Sequence, residues 1–144
     1  MTPEENKQIC IRLTNEINAG DLGSFDELVA EDYHDYNPLP GQTEGRDGFR
    51  NAYIGVRAAF PDGRLEMQDV LGEGDLVVIR GMNSGTHMGE MFGMKATGKH
   101  ARWSGTRLFR LRDGMLIEGW INLDLMGMMT QLGAGGSPSE TPTS

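Results

Sequence analysis

Apolar residues recur along this chain at two periods, and the change from one to the other divides a helical first part from a stranded second part. Ile9, Leu13 and Ile17 recur every four residues and define one stripe of a first helix. Thr2 is placed to cap it, Pro3 suits the first helical position, and Glu5 completes a capping box; Ala19-Gly20 ends it. A second, short helix is expected over Ser24 to Ala30, where Ser24 and Glu27 repeat the capping-box spacing. The polar stretch from Glu31 to Glu44, with Tyr33, His34, Tyr36, Asn37 and two prolines, reads as a loop. A third helix follows from about Arg46 to Phe60, with Phe49, Tyr53, Val56 and Phe60 at helical spacing, and Pro61-Asp62-Gly63 stops it.

Beyond this point the period is two. Strands are predicted over Leu65–Gly72, Leu76–Thr86, His100–Arg112 and Met115–Leu123, and Asp124–Gln131 reads as a closing helical turn. Glu73-Gly74-Asp75 is a turn, and Asp113-Gly114 is a two-residue hairpin loop of the type I′ kind. The Gly-rich segment from His87 to Lys99 is either a long connection or a broken strand with a bulge. Residues 1–133 are therefore expected to form one domain, and the Gly/Ser/Pro/Thr segment 134–144 a disordered tail. Helices first and antiparallel strands afterwards is an α+β order. A twisted sheet curling over packed helices makes a cone with an open mouth.

The hairpin turn supports an argument about faces. With Asp113-Gly114 as the whole loop and no bulge, Arg112 pairs with Met115, Phe109 with Glu118, Arg107 with Trp120 and Trp103 with Asp124. One face then carries Trp103, Arg107, Phe109, Glu118, Trp120, Asn122 and Asp124; the other carries Leu108, Ile117, Ile121 and Leu123 beside Ser104 and Thr106. A one-residue slip exchanges these partners. Indoles among a few polar groups suit the lining of a small-molecule pocket. The alternative is a solvent-facing side with an Arg107–Glu118 ion pair and tryptophans at a dimer interface. Asp124 is open to two readings as well. In an apolar neighbourhood its carboxylate becomes a better proton acceptor, while at a strand-to-helix junction it caps the next helix.

Composition narrows the function classes. The 144 residues suit a single core. A net charge of −8 disfavours nucleic acid and anionic membranes as partners. One cysteine, Cys10, excludes an internal disulfide, and no Cys/His spacing suggests zinc. With no apolar run of membrane-spanning length and no visible signal peptide, a cytoplasmic location is the expectation. Ten methionines include Met82, Met88, Met91 and Met94 on one side and Met126, Met128 and Met129 on the other, as core filler or as an adaptable cavity rim.

The segment Glu118-Gly119-Trp120-Ile121-Asn122-Leu123-Asp124, followed by Leu125-Met126-Gly127 and Gln131-Leu132-Gly133, resembles the closing motif of the SnoaL-like polyketide cyclases of the NTF2-like superfamily. Gly45-Arg46-Asp47-Gly48-Phe49-Arg50, Ala59-Phe60-Pro61-Asp62, Gly85-Thr86-His87-Met88-Gly89-Glu90 with Thr97-Gly98-Lys99, and Phe109 to Gly114 agree with it. The similarity spans roughly residues 5 to 133. It implies a cone-shaped α+β barrel, a curved antiparallel sheet wrapped over three N-terminal helices, with no cofactor and no metal. It also implies a homodimer or homotetramer acting on a hydrophobic small molecule. The Asp matching Asp124 resembles an acid/base residue for intramolecular aldol closure of an aromatic polyketide. His34, Asn37, His87, Trp103, Arg107, Trp120 and Asn122 are the expected substrate-binding set. Two departures from the pattern stand out: Thr106, Arg107 and Leu108 occupy the stretch where cyclases carry a His or Gln, and Gly119 stands where many relatives carry a His. The alternatives are a related polyketide hydroxylase, an epoxide hydrolase built on Arg107, Glu118 and Asp124, or a non-catalytic small-molecule-binding module.

Overall fold

The computed structural model describes residues 1–133, so the tail expected over 134–144 lies outside the described residues. In chain order the elements are α1 (Pro3–Asn18), α2 (Phe25–Leu28), β1 (Val29–Asp35), α3 (Gly45–Ala59), β2 (Arg64–Glu73), β3 (Leu76–Thr86), β4 (His100–Arg112), β5 (Met115–Leu123) and α4 (Leu125–Gln131). The strands form one curved, open sheet in the order β1-β5-β4-β3-β2. The α+β expectation holds. Among the described residues no helix is long and apolar enough to cross a membrane.

Local chemistry explains the helix boundaries. The capping box at α1 is closed both ways: the Glu5 N–H donates to Thr2 Oγ1 at 3.1 Å, and the Thr2 N–H donates to Glu5 Oε1 at 2.8 Å. Ser24 precedes α2 but makes no such side-chain bond, and α2 is a single turn. Val29 is already extended (φ −121°, ψ 130°), and its side chain is fully buried as the first residue of β1.

Strand β1 corrects the loop expected over Glu31–Glu44, of which only the part after Asp35 is irregular. It pairs in parallel with β5, so the sheet is mixed rather than wholly antiparallel. Its alternation is broken: Val29 pairs with Leu116 but His34 with Glu118, so extra residues bulge out between them, and Glu31 and Asp32 face solvent. A strand whose partner lies some eighty residues away and whose period is interrupted leaves little local signal.

The β4–β5 hairpin brings the second correction. Asp113 (φ 52°) and Gly114 (φ 83°) form the expected turn, and Arg112 pairs with Met115 and Leu111 with Leu116. The register then shifts by one: Arg110 meets Glu118, Phe109 meets Gly119, Leu108 meets Trp120 and Arg107 meets Ile121. Ile117 is the extra residue of this β-bulge. From there on, Gly119, Ile121 and Leu123 share the inner face with Gly105, Arg107 and Phe109, while Glu118, Trp120 and Asn122 move to the other face. Trp120 and Arg107 are therefore not neighbours on one face.

The inner face is covered by α1 and α3, whose Cys10, Leu13 and Phe49 pack with Val77, Ile79, Phe109 and Leu111 in the main core. A second cluster lies at the other end, where Met128 of α4 and Leu132 at its C-cap pack with Phe60, Ala101 and Trp103. Gln131 anchors α4 by accepting from the Arg102 N–H at 2.8 Å and donating to the Arg102 carbonyl at 2.6 Å. These two bonds satisfy β4 where β5 has already ended.

Candidate functional site

Between the two core clusters the inner face is not filled. A cavity of about 410 Å³ opens between α3, the inner face of β3–β5, α4 and the loop from Asn37 to Gln42. Phe49, Tyr53, Phe60, Trp103, Ile121 and Met128 give it broad apolar and aromatic walls. A smaller space of about 80 Å³ continues it towards α1, sharing Tyr53, Val56, Phe60, Asn83, Trp103 and Arg107. Glycine at position 105 keeps the floor open, since a Cβ there would crowd Leu123 and approach Asn83 and Arg107.

Arg107 stands at the junction of the two spaces. Its side chain projects inward from the middle of β4, and the residue is 6% exposed. Nη2 donates to Asn83 Oδ1 at 2.9 Å, and Asn83 in turn donates from Nδ2 to the Trp103 carbonyl at 3.2 Å. Nε and Nη1 are buried with no hydrogen-bond partner. No carboxylate pairs with this guanidinium among the described residues. A buried cation with two N–H groups bare is costly unless something electron-rich occupies the space before it. A shift of the guanidinium towards the cavity would present these N–H groups to a carboxylate, enolate or phenolate oxygen held against the aromatic walls.

Of the expected site residues, Trp103, Arg107, Asn37 and Asn122 line this cavity, the last two at its exposed rim. Asn37 is fixed there by its Oδ1, which accepts from the Ile121 N–H at 2.9 Å. His34 and Trp120 are elsewhere. On the outside of β1 and β5, Trp120 stacks on Tyr36 (centroids 4.6 Å apart, planes 3° from parallel), His34 meets Tyr36 edge-on, and His34 Nδ1 lies 3.0 Å from Glu44. Tyr36 donates to Glu118 at 2.6 Å, and Arg110 donates to the same carboxylate at 2.8 Å. These bonds, the tyrosine's first, hold the Glu118 carboxyl below the usual carboxylate range.

His87 is fully buried behind the cavity wall, its ring against Phe60. Its Nδ1 accepts from the Thr97 N–H at 3.2 Å, and its backbone bonds to Gly98 and Lys99, so it ties down the Gly-rich connection. Asp124 is exposed at the end of β5. Its Oδ1 accepts from the Gly127 N–H at 2.9 Å as the N-cap of α4, and it is not among the residues lining the cavity.

Among the cavity residues that escaped the sequence reading are Asn83 and Asp35. Asn83 carried a usable signal: it is a polar residue in the buried series Val77, Ile79, Gly81, Asn83, Gly85 of a period-two strand. Asp35 ends β1 and is the carboxylate that lines the main cavity; it accepts from the Asn37 N–H at 2.9 Å and from Gln42 Nε2 at 3.0 Å. Nothing in the sequence separates it from the other acids of that stretch. Burial pushes the Cys10 thiol up to about 12 and the Tyr33 hydroxyl well above its ordinary range, so neither is a nucleophile for this site. Among the described residues no group of three or more His, Cys, Asp or Glu side chains could hold a metal ion.

The family model of the SnoaL-like polyketide cyclases matches residues 8–132. The chain belongs to this family. Its α+β fold is that of the NTF2-like members, and solved structures agree. TsrD from Streptomyces laurentii superposes with a TM-score of 0.84 at 28% identity, over 93% of this chain and 98% of that one. IdmH from Streptomyces antibioticus, a proposed polyketide cyclase, is 31% identical with a TM-score of 0.79, over 90% and 99%. AclR from Streptomyces galilaeus, a proposed hydroxylase, is 26% identical with a TM-score of 0.81, over 92% and 98%. No curated protein matches the chain. Gly119 lies against Tyr33: a Cβ at that position would overlap the Tyr33 hydroxyl. Tyr33 stacked on Phe49 (4.4 Å) thus takes the space that a larger side chain would need.

Proposed function

We propose that this SnoaL-like protein closes a ring on an aromatic polyketide, or a similar compound with several carbonyls, without a cofactor. The observation that carries this reading is the buried Arg107 guanidinium, with Nε and Nη1 unpartnered, at the floor of an aromatic-walled cavity. In such a substrate a carbon flanked by two carbonyls gives up its proton to a carboxylate, and the charge moves onto an oxygen. Arg107, once its guanidinium moves towards the cavity, supplies N–H donors from Nε and Nη1 for that oxygen, a stabilisation strongest where water is excluded. The enolate carbon bonds to a second carbonyl carbon held near it, and the resulting alkoxide takes the proton back from the acid. Holding the two carbons together contributes several kcal/mol by itself.

The base in this proposal is Asp35, which faces the cavity, rather than Asp124, which is engaged at the cap of α4. The epoxide-hydrolase alternative lacks its paired carboxylates, because Glu118 is on the outer face with Arg110 and Tyr36. Hydroxylation of a bound polyketide is a second reading, carried by the similarity to AclR; product containing oxygen from isotope-labelled dioxygen would establish it.

The test compares Asp35→Asn with Asp124→Asn on a cyclisable anthraquinone-type ester, following turnover by absorbance and binding by quenching of Trp103 fluorescence, with Trp120→Phe in every protein so that Trp103 is the one emitting indole. Asp35→Asn is expected to lose turnover and keep affinity. Asp124→Asn should keep both turnover and stability, because the asparagine oxygen caps α4 as the aspartate does. The reverse pattern would return the acid/base role to Asp124. Binding without turnover in the wild type would favour a binding module.

A further inference from the structure

The residues from Met91 to Met94 form a tight hairpin tip over the cavity. The Met91 N–H donates to the Met94 carbonyl at 3.0 Å, and the Met94 N–H donates to the Met91 carbonyl at 2.9 Å. The two residues between them, Phe92 (φ 53°) and Gly93 (φ 78°), both have positive φ, as a type I′ turn requires. Glycine and asparagine suit the first of these positions; a phenylalanine there is an outlier. A bulky residue persists in such a conformation only where the surrounding structure holds it there, and such positions cluster at functional sites.

Phe92 lines the main cavity of about 410 Å³ and also a neighbouring one of about 340 Å³. The two share Leu39, Pro40, Gln42, Ala52, Val56, Met91 and Phe92 as walls. On the far side Thr43, Asn51 and Glu90 replace the aromatic lining. Ala52 and Val56 of this wall are fixed on α3 and Pro40 by its ring, whereas Phe92 is a single side chain on a two-residue turn.

We propose that Phe92 is a specificity-determining residue: its ring is the partition that closes the far end of the substrate cavity and so limits the number of fused rings a substrate can have. With the ring in place a ligand ends at Phe92. Without it the two spaces join, and a longer polycycle extends towards Thr43 and Asn51. This rests on the reading of the main cavity as the substrate site.

The test uses Phe92→Gly, which removes the ring at a backbone position that favours glycine, and Phe92→Leu, which keeps a bulky group. Two hydroxyquinone probes with the same head group, one of three fused rings and one of four, are titrated by Trp103 quenching. In Phe92→Gly the four-ring probe should gain about tenfold in affinity relative to the three-ring probe, the worth of burying one more ring. Phe92→Leu should keep the wild-type ratio. An unchanged ratio in Phe92→Gly, with the three-ring probe still bound, overturns the partition and leaves the substrate site standing. No binding of either probe by the wild type or by Phe92→Gly overturns both.

Discussion

Replacing Arg107 by methionine should make the protein more stable and less able to bind its ligand. The residue is 6% exposed and makes one hydrogen bond, to Asn83, leaving Nε and Nη1 without partners. Unsatisfied buried donors cost about 1–3 kcal/mol each, and the lower half of that range applies to both. Methionine has comparable reach and no donors, and it adapts to the apolar walls. Against this gain, Asn83 Oδ1 loses its donor, a loss of about 1 kcal/mol. The expected net effect is a stabilisation of about 1–3 kcal/mol, or a rise in Tm of roughly 4–10 °C for a chain of this length. Replacement of buried charges by apolar side chains has this sign elsewhere. Affinity for an acidic hydroxyquinone should fall by about 10–100-fold, the worth of one charge-assisted hydrogen bond. Thermal unfolding and Trp103 quenching on the same preparation check the two halves. A lower Tm in Arg107→Met would show that the guanidinium is a structural strut, and the case for an anion-holding site would fall with it.

Two further outcomes follow from packing and charge. Gly119→Ala should cost about 1–3 kcal/mol, because its Cβ overlaps the Tyr33 hydroxyl and approaches the Phe109 ring. Tyr33→Phe removes a buried hydroxyl that has no partner and should relieve at least about 1 kcal/mol of that cost; additivity within about 0.5 kcal/mol in a denaturant double-mutant cycle would refute the overlap. Glu118 is held below its ordinary value of 4.5 in the folded protein, so its contribution to stability is complete above that value and is lost as pH falls through the lowered one. Glu118→Gln should therefore lower stability at neutral pH and flatten the decline below pH 4.5, read from urea midpoints across the acid range; parallel curves for the two proteins would count against the Tyr36–Glu118–Arg110 network.

The sequence by itself determined the elements whose causes are local. The capping box of Thr2 and Glu5, the stop at Pro61-Asp62-Gly63, the Asp113-Gly114 turn and the period-two runs of β3, β4 and β5 are short-range chemistry, and each lies where that chemistry puts it. The family was legible too, because its motifs are contiguous stretches of chain. Trp103 and Arg107 were identified as cavity residues in spite of a wrong register, since the alternation within β4 alone sends them to one side.

The tertiary structure decided what depends on partners distant in sequence. One extra residue, Ile117, exchanged the faces of β5, sent Glu118 and Trp120 outside and brought Gly119 and Ile121 in. Pairing with β5 made a strand of Val29–Asp35 and carried Asp35 to the cavity, while the start of α4 engaged Asp124 as a cap. Asn83 became the partner of Arg107 only once β3 lay beside β4. The physical reason is that a strand's side chains have two choices of direction, and a single bulge reverses all those beyond it. Local propensity sets the alternation, and the pairing of distant strands sets which half of it faces the cavity.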